Sequence, residues 1–179
     1  MSVALPVLSN GERLSQHCTQ ECKSACCERI YHQRTQLVHG GNEALAEFVE
    51  STINEAMMET QAAFGEILVL EGCVLPKASD IDIYDNSMYI RLTVAFTCSK
   101  YDADRRMCGD YEHRPEICRT AKCTEIANSP TFSVHGVRAM HDRVANSAIV
   151  DKQAALTTLE SIYAAGRNSA IPQTPSACS

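Results

Sequence analysis

Residues 81–98 read IDIYDNSMYIRLTVAFTC, and their side-chain rhythm decides the fold class. From Met88 to Phe96 the pattern alternates, with Ile90, Leu92, Val94 and Phe96 on one face and Arg91 and Thr93 on the other. A period of two marks a strand with one face buried. Ile81 to Tyr84 is a shorter run of the same kind, and Asp85-Asn86 between the two supplies turn chemistry, since both side chains can bond their own backbone. Ile67 to Leu70 reads as a further strand. These runs predict a small antiparallel sheet whose last strand delivers the chain to Cys98.

Helices are predicted on either side. From Asn42 to Phe64, Leu45, Phe48, Val49, Ile53, Ala56, Met57 and Phe64 recur at helical spacing. Asn42 is placed to cap the helix after the Gly40-Gly41 breaker, and Gly65 to stop it. Trp is absent and aromatics make up 6% of the chain, so the core rests on Leu, Ile, Val, Ala and Met, with Met57-Met58 read as core filler. A second helix is expected from about Asp142 to Ala165, with Val144, Ala148, Ala155, Leu159 and Ile162 as its stripe and Gly166 as its end. The expected class is α+β: a small antiparallel sheet packed with helices. Residues 1–166 are read as one domain and 167–179, with Pro172 and Pro175, as a loose tail.

The chain has 179 residues, a net charge of -6 and ten cysteines. An acidic surface argues against nucleic acid and anionic lipid as partners. No apolar run approaches the ~20 residues of a membrane helix, and Met1 to Asn10 lacks a basic export signal. A cytoplasmic location is expected on these grounds. In a reducing compartment so many thiols point to metal binding or redox chemistry, whereas a secreted chain would use them as disulfides.

The cysteines fall into two blocks. Cys18, Cys22, Cys26 and Cys27 form the first; Cys98, Cys108, Cys118 and Cys123 form the second; Cys73 and Cys178 stand alone. On a straight helix the eight residues from Cys18 to Cys26 span about 12 Å, while thiolates on one zinc lie within about 4 Å of each other. The first block therefore bends or feeds more than one metal. In the second block Pro115 suits the first turn of a short helix. Cys118 then lies near the positive end of that helix, which favours its thiolate. Arg105, Arg106, Arg114 and Arg119 are interleaved with these cysteines. Four thiolates around Zn²⁺ or a [4Fe–4S]²⁺ cluster leave a charge of -2, which guanidinium groups offset while donating to sulfur; Arg114 and Arg119 are the stronger candidates.

The stretch Tyr111-Glu112-His113-Arg114-Pro115-Glu116-Ile117-Cys118-Arg119 closely resembles the Y-E-x-R-P-x-x-C-R signature of the YkgJ-type cysteine-cluster family. That family is described as a zinc- or iron-chelating domain. Its N-terminal block is written C-x2-C-x2-C-C, which Cys18, Cys22, Cys26 and Cys27 resemble with wider gaps, and Cys98 and Cys108 correspond to its upstream cysteines of the second block. Where the family carries an apolar pair, this chain has Ser99-Lys100-Tyr101. The resemblance implies metal binding by eight cysteines. Members of the family are described as iron–sulfur oxidoreductases, and a larger relative methylates lysines of flagellin; neither activity is carried by these motifs.

Structural zinc sites favour C-x2-C knuckles, and this chain has none: the gaps are three, three and zero residues, then nine, nine and four. Such spacing suits a centre assembled from both blocks, so iron or an iron–sulfur cluster is favoured and zinc is the alternative. The iron reading carries redox or protein-modifying work on a protein partner; the zinc reading is a module that folds around metal and docks a partner. The three spaced thiols of the first block also suggest a radical enzyme, but their spacing is wrong and the chain short for the usual barrel. His17 and His113 are candidate additional ligands. Asp102, Asp104, Asp110, Glu112, Tyr101 and Tyr111 are candidate acid–base groups, with Glu112 equally able to pair with Arg114. Loss of Cys118 or Cys26 is expected to remove metal and most of the stability, and Cys73 and Cys178 to be dispensable.

Overall fold

A computed structural model describes residues 28–84, 87–110, 113, 144 and 146–169. Its organising element is a long strand, Ser87–Cys98. Met88, Ile90, Leu92, Val94 and Phe96 line one face of it and are all buried, the middle three completely. In chain order the elements are β1 (Arg29–His39), α1 (Asn42–Phe64), β2 (Leu68–Val74), β3 (Ile81–Tyr84), β4 (Ser87–Cys98), β5 (Tyr101–Asp102), β6 (Met107–Cys108), β7 (Ile149–Val150) and α2 (Lys152–Ser169).

The main sheet runs β1-β4-β2-β7, and β3 also pairs with β4. β4 meets β1 along its length, from Arg29 opposite Thr97 to His39 opposite Ser87. On its other side the first part pairs with β3, from Tyr84 opposite Ser87 to Ile81 opposite Ile90. The later part pairs with β2, from Leu68 opposite Cys98 to Cys73 opposite Val94. Every pairing is antiparallel. The fold class is therefore α+β, an antiparallel sheet with two helices. Asp85-Asn86, the expected turn between β3 and β4, lies outside the described residues.

Both helices cover the apolar face of β4. Leu45, Phe48, Val49, Ile53 and Ala56 of α1 and Ala155, Leu159 and Tyr163 of α2 share one core with Met88 to Phe96. The bounds of α1 are those the sequence predicts, with Gly41 rather than Asn42 in the cap position and the Gly65 amide donating to the Gln61 carbonyl at the far end. Met57 and Met58 are a correction: they are 47% and 73% exposed. The stripe is completed by Thr52 and Thr60, both buried, whose hydroxyls donate to the carbonyls of Phe48 and Ala56 at 2.7 Å. A back-bonded threonine hydroxyl is satisfied within the helix and buries its methyl group like an apolar side chain.

The C-terminal helix also differs from expectation. It starts at Lys152, ten residues after Asp142, because Asp151 caps it: the Asp151 carboxylate accepts from the Ala154 amide at 2.8 Å and its carbonyl from the Ala155 amide at 3.1 Å. Just before the cap, Ile149-Val150 is an edge strand on Cys73-Val74. This pairing needs Gly72, whose φ is +148° and whose missing Cβ would run into the Val150 carbonyl. Gly166 does not end α2, which continues to Ser169. Among the described residues no helix is long and apolar enough to cross a membrane.

Candidate metal centre

β1, β4 and the β5–β6 hairpin bring the edges of the two cysteine blocks to one end of the sheet. The register that sets Arg29 against Thr97 also brings Glu28, the residue after Cys27, to the end of β4. The Thr97 hydroxyl donates to the Glu28 carbonyl at 3.4 Å. Arg29 reaches across β4 to Glu71 of β2, with Nε and Nη2 on the two carboxylate oxygens at 2.7 Å each. That bidentate pair holds the guanidinium pKa above its ordinary value and straps together the three strands that bound this end. Tyr31 lies two residues on. Its hydroxyl is buried without a hydrogen-bond partner, and burial pushes its pKa up.

Cys98 ends β4 and is half-buried. The next amide, Ser99 N, donates to Ile67 O at 2.8 Å, so the exit from the strand is fixed. A turn at Ser99-Lys100 leads into β5, where Tyr101 pairs with Cys108 of β6. Such turns hold their ends within about 7 Å and antiparallel neighbours are about 5 Å apart, so the Cα atoms of Cys98 and Cys108 lie within about 12 Å. The hairpin is well tied: Gly109 N donates to Lys100 O at 2.7 Å, and the Asp102 carboxylate accepts from the amides of Asp104 and Arg105 at 3.0 Å each. Arg106 takes a positive φ of 51° to close the loop.

Charges cluster beside Cys108. Asp110 accepts from His113 Nδ1 at 2.8 Å and pairs with Lys100 Nζ at 3.5 Å. The His113 hydrogen bond, with help from Lys100, holds the Asp110 carboxyl below its ordinary pKa. Asp102 and Asp104, expected as acid–base candidates, shape the loop instead. Arg105 is 77% exposed and pairs with Asp102 at 3.7 Å, so it is engaged in the loop rather than aimed at a thiol.

Of the eight candidate ligands, Cys98 and Cys108 are thus placed at one end of the sheet. Cys18, Cys22, Cys26, Cys27, Cys118 and Cys123, the two arginines Arg114 and Arg119, and His17, Tyr111 and Glu112 lie outside the described residues. Among the described residues no three His, Cys, Asp or Glu side chains form a metal-binding group. The donors present nonetheless fit a soft metal: two half-buried thiols on rigid backbone, next to the point where the first block enters the sheet. Cys73, set apart by the sequence, is a core residue packed at 1% exposure. Sequence reasoning missed Lys100, whose anchoring of Asp110 depends on a hairpin that two-residue strands do not announce. Comparison with family models, curated proteins and solved structures finds no match.

Proposed function

We propose that this chain is a metal-chelating cysteine-cluster protein in which both blocks supply one centre at the Cys98 end of the sheet. The observation that carries the reading is the β1–β4 register: it brings Glu28, covalently next to Cys27, beside the strand end that bears Cys98. Chain connectivity keeps consecutive Cα atoms 3.8 Å apart, so the last cysteine of one block starts close to the first of the other. Remote stretches separated by seventy residues of sequence need this kind of convergence to share an ion. The resemblance to the YkgJ-type family supports the same ligand set.

Iron, as an iron–sulfur or multinuclear centre, is favoured over zinc because neither block contains the C-x2-C knuckle of structural zinc sites. Arg114 and Arg119 are assigned to offset the thiolate charge. A redox or protein-modifying role on a protein partner follows from the iron reading, and a reducing compartment such as the cytoplasm keeps the thiols available. Zinc would instead make this a protein-interaction module.

The test is elemental analysis of the full chain purified without oxygen, beside Cys98→Ser and Cys108→Ser. Iron with acid-labile sulfide and visible absorption, lost in both variants, is the expected result. Colourless protein with stoichiometric zinc would select the alternative. Wild-type protein free of either metal would overturn the proposal.

A further inference from the structure

Resting on that reading, we infer that His113 is an additional ligand of the same centre, oriented by Asp110, which is itself anchored to the cysteine-bearing hairpin by Lys100. An ionised carboxylate has no hydrogen to give, so in the 2.8 Å contact the proton sits on His113 Nδ1. The neutral ring then presents Nε2 as a lone pair. A histidine whose one nitrogen donates to a carboxylate while the other faces outward is the arrangement by which proteins prepare an imidazole ligand.

The carboxylate is held from both sides. Its second oxygen meets Lys100 Nζ at 3.5 Å, and the Lys100 carbonyl accepts from Gly109, the residue just before Asp110. The triad is thereby fixed to the β5–β6 hairpin that carries Cys108, five residues before His113. The imidazole is 81% exposed, so it contributes nothing to the core, and an exposed ion pair alone would contribute little stability.

The other described histidines are excluded by position. His32 pairs with Val94, four residues before Cys98 along β4, about 13 Å away at strand rise, and its Nδ1 meets Glu59. His39 lies at the opposite end of β1, bonded to Ser87. Replacing one thiolate by a neutral imidazole makes a centre less negative by one charge, and on an iron–sulfur cluster it raises the reduction potential.

The experiment uses the full chain, stripped of metal and titrated with cobalt(II) without oxygen, and reads thiolate-to-cobalt absorption together with X-ray absorption at the cobalt edge. Wild type is expected to show thiolate bands and imidazole-ring scattering. His113→Gln, a surface change, should keep the bands, lose ring scattering and bind cobalt(II) ten- to hundredfold more weakly. Asp110→Asn should weaken binding to a similar degree but retain ring scattering, as a positioning residue would. Unchanged scattering and affinity in His113→Gln would overturn the ligand assignment and leave the cysteine reading intact. A wild-type protein without thiolate bands would overturn the cysteine reading, and the ligand assignment with it.

Discussion

The thiol of Cys73 is 1% exposed on the core face of β2, opposite Val94. Burial, reinforced by the carboxylate of Asp151, pushes its pKa up to about 11 from 9.0. The thiolate is the reactive and metal-binding form, so Cys73 is inert in the folded protein. Its folded pKa lies above its unfolded one, so its stabilising effect is complete below pH 9 and is lost as pH climbs through 11. The loss amounts to no more than about 3 kcal/mol. Chemical denaturation of wild type and Cys73→Ala should therefore differ by a constant amount, about 1–2 kcal/mol for a core truncation, up to pH 9. Above that, the gap should narrow as wild type weakens. A gap independent of pH up to 11 would show that the thiol titrates normally. Isolation from other cysteines was enough to remove Cys73 from the ligand set, but the depth of its burial depends on β7 and α2 closing over β2. His113 illustrates the converse: its position within a signature was legible, while its tautomer depends on a carboxylate three residues earlier being turned toward it.

At the scale of elements, legibility followed the strength of the pattern. α1 has glycine breakers at both ends and a dense apolar stripe, and its bounds match expectation residue for residue. β1 left no such trace. Its core-facing side carries Ile30, His32, Arg34, Gln36 and Val38, opposite the apolar positions of β4, and three of these five are polar. They are accommodated because the flank of α1 answers them: Arg34 pairs with Glu55 at 2.8 Å and His32 with Glu59 at 3.2 Å. Such charges along an edge strand also discourage pairing with other chains. Gly166 was misread for a different reason. A glycine late in a helix signals a stop, yet here α2 continues and the missing Cβ makes room for Ile83 of β3. Alanine in a helix interior ordinarily gains up to about 1 kcal/mol over glycine. At this position the added methyl would overlap Ile83 Cδ1, so Gly166→Ala is expected to destabilise by about 1 kcal/mol through overpacking. Trimming the obstacle with Ile83→Val should restore the usual alanine benefit in the double variant. A thermal-unfolding cycle reads the coupling, and additive effects would show that the helix and strand do not meet there.

At the scale of the molecule, the core and the candidate centre are separate structures that share β4. Sixteen buried residues from β1 to α2 form the apolar cluster, and Cys73 is its one cysteine among the described residues. Cys98 and Cys108 lie half-buried beyond it, where the sheet gives way to the hairpin. Sequence alone suggested that metal binding and folding would be one event, because eight thiols dominate the chain and no residue pattern reveals how much core survives without them. The packing argues otherwise: the helices cover β4 through side chains that owe nothing to a ligand. Chelation of the full chain, or the double change Cys98→Ser with Cys108→Ser, should abolish metal binding while keeping a cooperative thermal transition and most of the far-ultraviolet circular dichroism. Each half-buried substitution should cost about 1 kcal/mol, and a domain of this size loses about 2–4 °C of Tm per kcal/mol. Collapse of the helical signal on chelation would mean that binding energy is folding energy for the whole chain, and that the sheet and its two helices hold together only while the cysteine end is loaded.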